Sequence, residues 1–315
     1  MVKLETIIVG IVLTATSLLA QDTIPFNFGI APGLSIRRTD QAVVHFNANL
    51  ISSRALSTSG ADLAGLVSNV TNDMEGLQAS GIVSNTRSLT GFQTSGISSR
   101  ATGDVTGYQI SGIVSSTAGN LRGVQVSGVV NTVRGTTFGG QSGFINVARD
   151  LTGFQAGFIN ISRQLNGVPF GIINIAENGR VSAIAYGSNF SALNIGAKFI
   201  ANNFVTTITI GGRDVDRRLN EAAAFATSWG YHIPLEPLYL EIDLAGMNMV
   251  QTADFDIDNT HTRRLNALRA TLGVDVTGFL GILIGAGVGY EREYEGDTLV
   301  QDDFKPLFFG GVTLF

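Results

Sequence analysis

Gly123-Val124-Gln125-Val126-Ser127-Gly128-Val129-Val130-Asn131 decides how this chain is read, because variants of it recur through the middle of the sequence. Its core, Gly-apolar-Gln-x-Ser-Gly, stands at residues 76–81, 91–96, 107–112 and 123–128. Shortened copies start at Gly139, Gly153 and Gly167, and a degenerate first copy starts at Gly60. Successive starting glycines lie 14 to 16 residues apart. Two positions before several of them comes an apolar residue: Leu89, Val105, Leu121, Leu151 and Leu165. After the motif come an apolar pair and then Ser or Asn, as in Val129-Val130-Asn131, Phe144-Ile145-Asn146, Phe158-Ile159-Asn160 and Ile172-Ile173-Asn174. The period is too short for helical-pair repeats, which need about 33 residues, and fits one coil of a narrow β-solenoid. Stacked coils would put Gln78, Gln93, Gln109, Gln125, Gln141 and Gln155 in one column, where side-chain amides at the strand spacing of ~4.8 Å bond up and down. That makes the glutamines structural rungs rather than ligand contacts. The alternative, each repeat as one strand of a meander, suits identical units less well.

On either side the pattern changes to long alternation. Before the repeat, Ile24, Phe26, Phe28 and Ile30 alternate with Asn27, Gly29 and Ala31, and Val44, Phe46 and Ala48 with His45, Asn47 and Asn49. After it, Leu238, Leu240, Ile242 and Leu244 alternate with Tyr239, Glu241, Asp243 and Ala245. Leu268 to Val276 alternate with Arg269, Thr271, Gly273 and Asp275, and Leu280 to Val288 with glycines. Segments of about ten residues, apolar on one side and polar or Gly on the other, fit a transmembrane barrel. Trp229, Tyr231, Tyr239 and Tyr290 lie near segment ends, where an aromatic girdle belongs. Counted back from Phe315, connections run long and charged (291–305), tight (Thr277-Gly278), long (251–263), tight (234–237, with two prolines) and charged (211–221). Long outer loops with short inner turns are a barrel's asymmetry. The fold class expected is all-β: a narrow solenoid of 14–16 residues per coil joined to a small antiparallel transmembrane barrel of about 8–10 strands. The boundaries expected are a signal peptide at 1–20, N-terminal barrel strands at 21–54, the repeat domain at 55–182 and C-terminal barrel strands at 183–315. The signal rests on Lys3, the apolar run around Ile7 to Leu13, and Ala20 before the cut. An even number of strands at 183–199 would place the repeat on the periplasmic side.

Composition narrows the function classes. Of 315 residues, 44% are hydrophobic and 14% charged, with 39 Gly and no Cys. Charge this sparse, against ~25% in soluble domains, suits stacked β structure or a membrane barrel. The absence of Cys removes disulfides, thiolate metal sites and a Cys nucleophile. A net charge of −5 offers no basic surface for nucleic acid.

The unit at 123–131 and the Gly-Val-Pro-Phe-Gly-Ile-Ile-Asn run at 167–174 resemble the leptospiral-type surface-repeat family of Gram-negative bacteria. The terminal Pro306–Phe315 strand, ending on an aromatic, resembles the insertion signal of outer-membrane barrels. The resemblance implies outer-membrane or surface residence and carries no functional residues. Many such proteins look like lipoproteins; without a Cys this chain would be anchored by its barrel.

No catalytic, cofactor-binding or metal residue is assigned. Asp254, Asp256 and Asp258 alternate as in a calcium loop, but Asn259 stands at the sixth position and Leu265 at the twelfth, where Gly and Glu belong. The acids from Glu291 to Asp303 read as a solvated loop, and Gly285-Ala286-Gly287-Val288-Gly289 as lumen glycines rather than a nucleotide loop. Glu241, Asp243, Arg269, Asp275 and His232 are expected to share the lumen as a paired interior. Three functions follow. In the first, the barrel anchors a repeat domain for binding or structural presentation, offering a flat polar face. The partners are then outer-membrane lipid and an unnamed surface protein or glycan. The second is a narrow pore or transporter with the repeat as plug or gate. The third is a secreted solenoid acting on polysaccharide, which the non-recurring acids Asp62, Asp73, Glu75, Asp104, Asp150 and Glu177 disfavour.

Overall fold

The structure is a computed structural model that describes residues 22–212, 222–252 and 260–315. The expected signal peptide, most of the 211–221 connection and the Asp254–Asp258 stretch lie outside the described residues. The chain divides into two compact units that meet at Gly139 and Gly140.

The first unit is built from β1 (Thr23–Gly29), β2 (Val43–Asn49), β3 (Ser52–Ala55), β4 (Ser57–Ala64), β5 (Val67–Ser80) and β6 (Val83–Ser95). It continues through β7 (Ser98–Ala101), β8 (Val105–Ser111), β9 (Val114–Thr117), β10 (Leu121–Ser127) and the start of β11 (Val130–Ser142). These strands pair in parallel, β1 on β2, β2 on β4, β4 on β5, β5 on β6, β6 on β8 and β8 on β10. Parallel pairing removes the meander and establishes the solenoid. The repeat's glycines stack in register, Gly60 to Gly76 to Gly91 to Gly107 to Gly123. At Gly107 φ is 127°. A Cβ there would lie 2.0 Å from the carbonyl oxygen of Gly91. Only a residue without a side chain lets one coil come that close to the next in that conformation.

The N-terminal segment differs from expectation. Residues 21–54, read as barrel strands, belong to the solenoid: β1 and β2 run parallel and continue its sheet. Alternation is common to both folds, so it did not decide between them. The asparagines that seemed to face a barrel lumen, Asn27 and Asn47, are fully buried rungs inside the coil.

The second unit holds β12 (Ile145–Ala156), β13 (Ile159–Phe170) and β14 (Ile173–Ala176), again parallel. The barrel follows, with β15 (Arg180–Ser188), β16 (Leu193–Ala201), β17 (Phe204–Gly212), β18 (Ala222–Leu235), β19 (Leu238–Thr252), β20 (Thr260–Asp275), β21 (Leu280–Glu295) and β22 (Thr298–Leu314). Each pairs antiparallel with the next, and β22 returns to β15 to close an eight-stranded barrel. Two strands, not one, arise from the 183–199 region. The expected 291–305 loop is instead a hairpin that turns at Gly296-Asp297, because ion pairs take over from apolar contacts as its strands continue. Glu291 is held by Arg263 and Lys305, and Tyr290 by Asp302.

Three short connections, 202–203, 236–237 and 276–279, lie at the end at which the chain enters from β14, while the link 189–192 and the turn 296–297 lie at the other.

Candidate functional site

Three surfaces compete for a role: the interior of the coils, the lumen of the barrel, and the wall where the last coil meets it.

Inside the coils the glutamines form the expected ladder. In the first unit the side-chain Nε2 of Gln93 donates to Gln78 Oε1, Gln109 to Gln93, and Gln125 to Gln109, each at 2.7 Å. Each rung also donates to a backbone carbonyl across the coil, Gln109 to Ser116 and Gln125 to Thr132. The ladder thus ties the two arms of a coil together. All four glutamines are fully buried, and so are Ser84, Ser99 and Ser115. The flat polar face proposed from sequence is therefore turned inward. Leu66, Ile97, Ile113 and Val129 stand 42–45% exposed at equivalent positions, and Arg54, Arg87, Arg100, Arg122 and Arg134 are exposed elsewhere on the coils.

The ladder has a direction. At its start the donors point forward, Asn27 Nδ2 to Asn47 Oδ1 and Asn47 Nδ2 to Asp62 Oδ2, both 2.8 Å. From Gln78 onward they point back, and Gln78 reaches Asp62 through the hydroxyl of Ser68. Two runs of donors converge on Asp62, so the rung there must accept on both sides, for which a carboxyl group has two oxygens and an amide only one. Burial pushes the Asp62 pKa up; hydrogen bonds donated by Ser53, Ser68 and Asn47 oppose the rise without cancelling it.

In the second unit Gln155 donates to Gln141 at 2.8 Å, and Pro169 occupies the next rung. The buried Oε1 of Gln155 is left without a donor there. A second ladder runs on: Asn146 donates to Asn160, Asn160 to Asn174, and Asn174 to the hydroxyl of Thr206 on β17 at 2.7 Å.

The lumen is filled in layers. Lys198 Nζ stands 2.6 Å from Glu241 Oε1, and His232 Nδ1 2.8 Å from the same oxygen. Arg269 Nε donates to Asp243 at 2.8 Å and lies over the Phe309 ring. Glycines on β21 make the room: a Cβ at Gly285 would strike Phe309, and one at Gly289 would strike Leu265. Further along, the interior becomes apolar, with Phe190, Met247, Met249, Leu265 and Leu307 in one cluster. The space left beside Lys198, Asp243 and Arg269 is about 20 Å³, room for roughly one water.

Four of the five residues expected in the lumen are brought together there, Glu241 with His232 and Asp243 with Arg269. Asp275 is not among them; it pairs with Arg180 at 2.8 Å at the exposed rim. Tyr239, expected in the girdle, points inward and is buried beneath Lys198. Sequence reading missed Lys198. Its signal was its inward parity between Ile195, Ala197 and Phe199.

On the outer wall, Thr206 and Phe199 have outward parity, yet are 1% and 7% exposed. The last coil covers them. Ala201 joins Leu151, Leu165 and Ala176 as the end of the coil's core. Phe170 meets Phe204 edge-on at 5.6 Å between ring centres. Trp229 Nε1 donates to the Gly171 carbonyl at 2.9 Å. Among the described residues, no group of three or more His, Asp or Glu side chains is placed to hold a metal ion.

Compared with protein-family models, curated proteins and solved structures, the chain matches none.

Proposed function

We propose that this is an outer-membrane protein in which the barrel anchors the solenoid, as the resemblance of its repeats to surface-repeat proteins also suggests. The observation that carries the reading is the barrel's outer surface. Ile195, Ile210, Leu244, Leu268, Ile284 and Phe308 are 53–68% exposed around the wall, while Lys198, Glu241, Asp243 and Arg269 are buried in the lumen. In water, so large an apolar belt over a charged interior is inverted; in a bilayer it is the expected arrangement. The solenoid leaves from the end bearing the turns 202–203, 236–237 and 276–279, opposite the end with the longest connections, 213–221 and 253–259; in barrels of this kind the short-turn end faces the periplasm, so we assign the coils to that side. A scaffold function follows, with the coils offering apolar columns rather than the polar face expected from sequence.

Expression in a Gram-negative host tests this. The protein should fractionate with outer membranes and migrate faster on a gel unheated than boiled, as closed barrels do. Recovery in the soluble fraction would overturn the reading. Protease added to whole cells should spare the coils and cleave them only after the outer membrane is opened; cleavage in intact cells would put them outside.

The pore reading draws less support. The space beside the luminal ion pairs is about 20 Å³, and the last coil lies on the wall rather than in the lumen. Planar-bilayer conductance that rises on deleting residues 55–182 would revive it.

A further inference from the structure

The last coil sits against the outside of the barrel, at a place where a transmembrane wall would otherwise meet lipid. Beside it is an open groove of about 450 Å³, lined by Phe144, Phe158, Phe170, Ile172 and Trp229 with Gly157 and Gly171. Phe144, Phe158 and Phe170 are 40–54% exposed. The rings of Phe144 and Phe158 stack at 5.0 Å and 7°, so they line the groove as one apolar column. Its one polar atom of note, the indole nitrogen of Trp229, is already occupied by the Gly171 carbonyl. Nothing there asks for a polar ligand.

Its level on the barrel identifies the occupant. Trp229 is paired with Leu244, Leu244 with Leu268, and Leu268 with Val288. That row of outward side chains is apolar all the way across, with Leu244, Leu268 and Val288 56–64% exposed. The groove therefore opens onto the same apolar belt. Its phenylalanines extend that belt from the barrel onto the coil without a polar break.

We propose that this groove holds the acyl chains of membrane phospholipid, so that the last coil is embedded at the bilayer edge together with the wall it covers. The inference rests on the membrane reading above and adds to it that the solenoid, not only the barrel, contacts lipid. It also accounts for the aromatic character here: equivalent positions in the first unit hold Ile97, Ile113 and Val129, and rings at a bilayer edge keep an apolar body in the chains.

The chain has a single Trp, which makes the test direct. The full-length protein is reconstituted into phosphatidylcholine vesicles with or without brominated acyl chains, which quench indoles they touch. The native chain reports on the barrel through Trp229. The double variant Trp229→Phe, Phe158→Trp reports on the coil, and Trp229→Phe, Phe144→Trp repeats the measurement one coil away. The expected result is quenching of at least two-fold by brominated chains at all three positions, with little quenching by aqueous iodide at the coil positions. Quenching of the native chain but not of either coil reporter, with iodide reaching both, would overturn the inference and leave the membrane reading standing. Absence of bromine quenching in all three would remove the membrane reading itself. Heat-modifiable migration of each variant confirms that its barrel has closed.

Discussion

The solenoid and the barrel both bury polar groups beside an apolar core, and they make those groups tolerable in different ways. The coils bury neutral amides that bond rung to rung, from Gln125 back to Gln78. The barrel buries full charges, each satisfied by a partner from another strand: Lys198 with Glu241, and Arg269 with Asp243. A ladder distributes its bonding along a line, so removing one rung harms two neighbours. An ion pair is self-contained, so removing both members together harms little. The contrast also separates the functions open to each part. The lumen's charges are consumed by one another, and the coils' amides by the ladder, which leaves the exteriors rather than the interiors open to a partner.

The largest effect is expected in the barrel. Lys198→Met should destabilise it by about 3–5 kcal/mol, since Glu241 is left buried beside His232 alone. Adding Glu241→Leu should recover most of that loss. Thermal gel-shift midpoints of the two variants check this; a double variant no better than the single would mean that lumen charges are not self-contained. Next comes Gly107→Ala, which forces a Cβ into the carbonyl of Gly91 at positive φ and should cost about 3 kcal/mol. Urea unfolding followed by far-UV circular dichroism measures it. Gln109→Leu should cost about 2–3 kcal/mol by stripping a partner from both Gln93 and Gln125. Here the comparison can be broken: adding Gln93→Leu should not rescue, because each further apolar rung only moves the orphan along the ladder. Rescue would show that the coils behave like the lumen.

The smallest effect concerns pH. Because the folded pKa of Asp62 is raised, its contribution to stability is complete below the ordinary carboxyl range near ~3.9 and is lost as pH rises through the folded value. The first unit should therefore lose stability with rising pH above that range. Asp62→Asn should flatten the slope in unfolding curves taken across mildly acidic to neutral pH; an unchanged slope would mean that another group sets it.

The repeat was legible because its physics is local and periodic. A glycine every 14 to 16 residues followed by a glutamine two positions on leaves few alternatives, and the stacked register confirmed both columns. The barrel's parity was legible for the same reason at Glu241, Asp243 and Arg269. Parity says which side a residue faces, but not what lies on that side. In β16 and β17 it turns Phe199 and Thr206 outward and cannot show that a coil covers them. It placed Asn27 and Asn47 in a barrel, since a strand alternates identically whether its neighbour runs parallel or antiparallel. Lys198 escaped notice because one charge in a short strand stands out only when its partner forty residues away is known. The inward turn of the glutamines was the largest surprise for function: a column of amides is equally regular on a surface and in a core, and only packing distinguishes them.

The junction at Asp62 bears on how such a chain can change in length. The awkward chemistry of the glutamine run is confined to two places, the Asp62 carboxyl where the donors meet and Pro169 where the rungs stop. Every coil from Gln78 to Gln125 is an interchangeable link that begins and finishes with the same donor and acceptor. Duplicating or deleting a whole link would leave both terminals as they are, so the reach of the coils is a dimension evolution can adjust in steps of one repeat without redesigning either end.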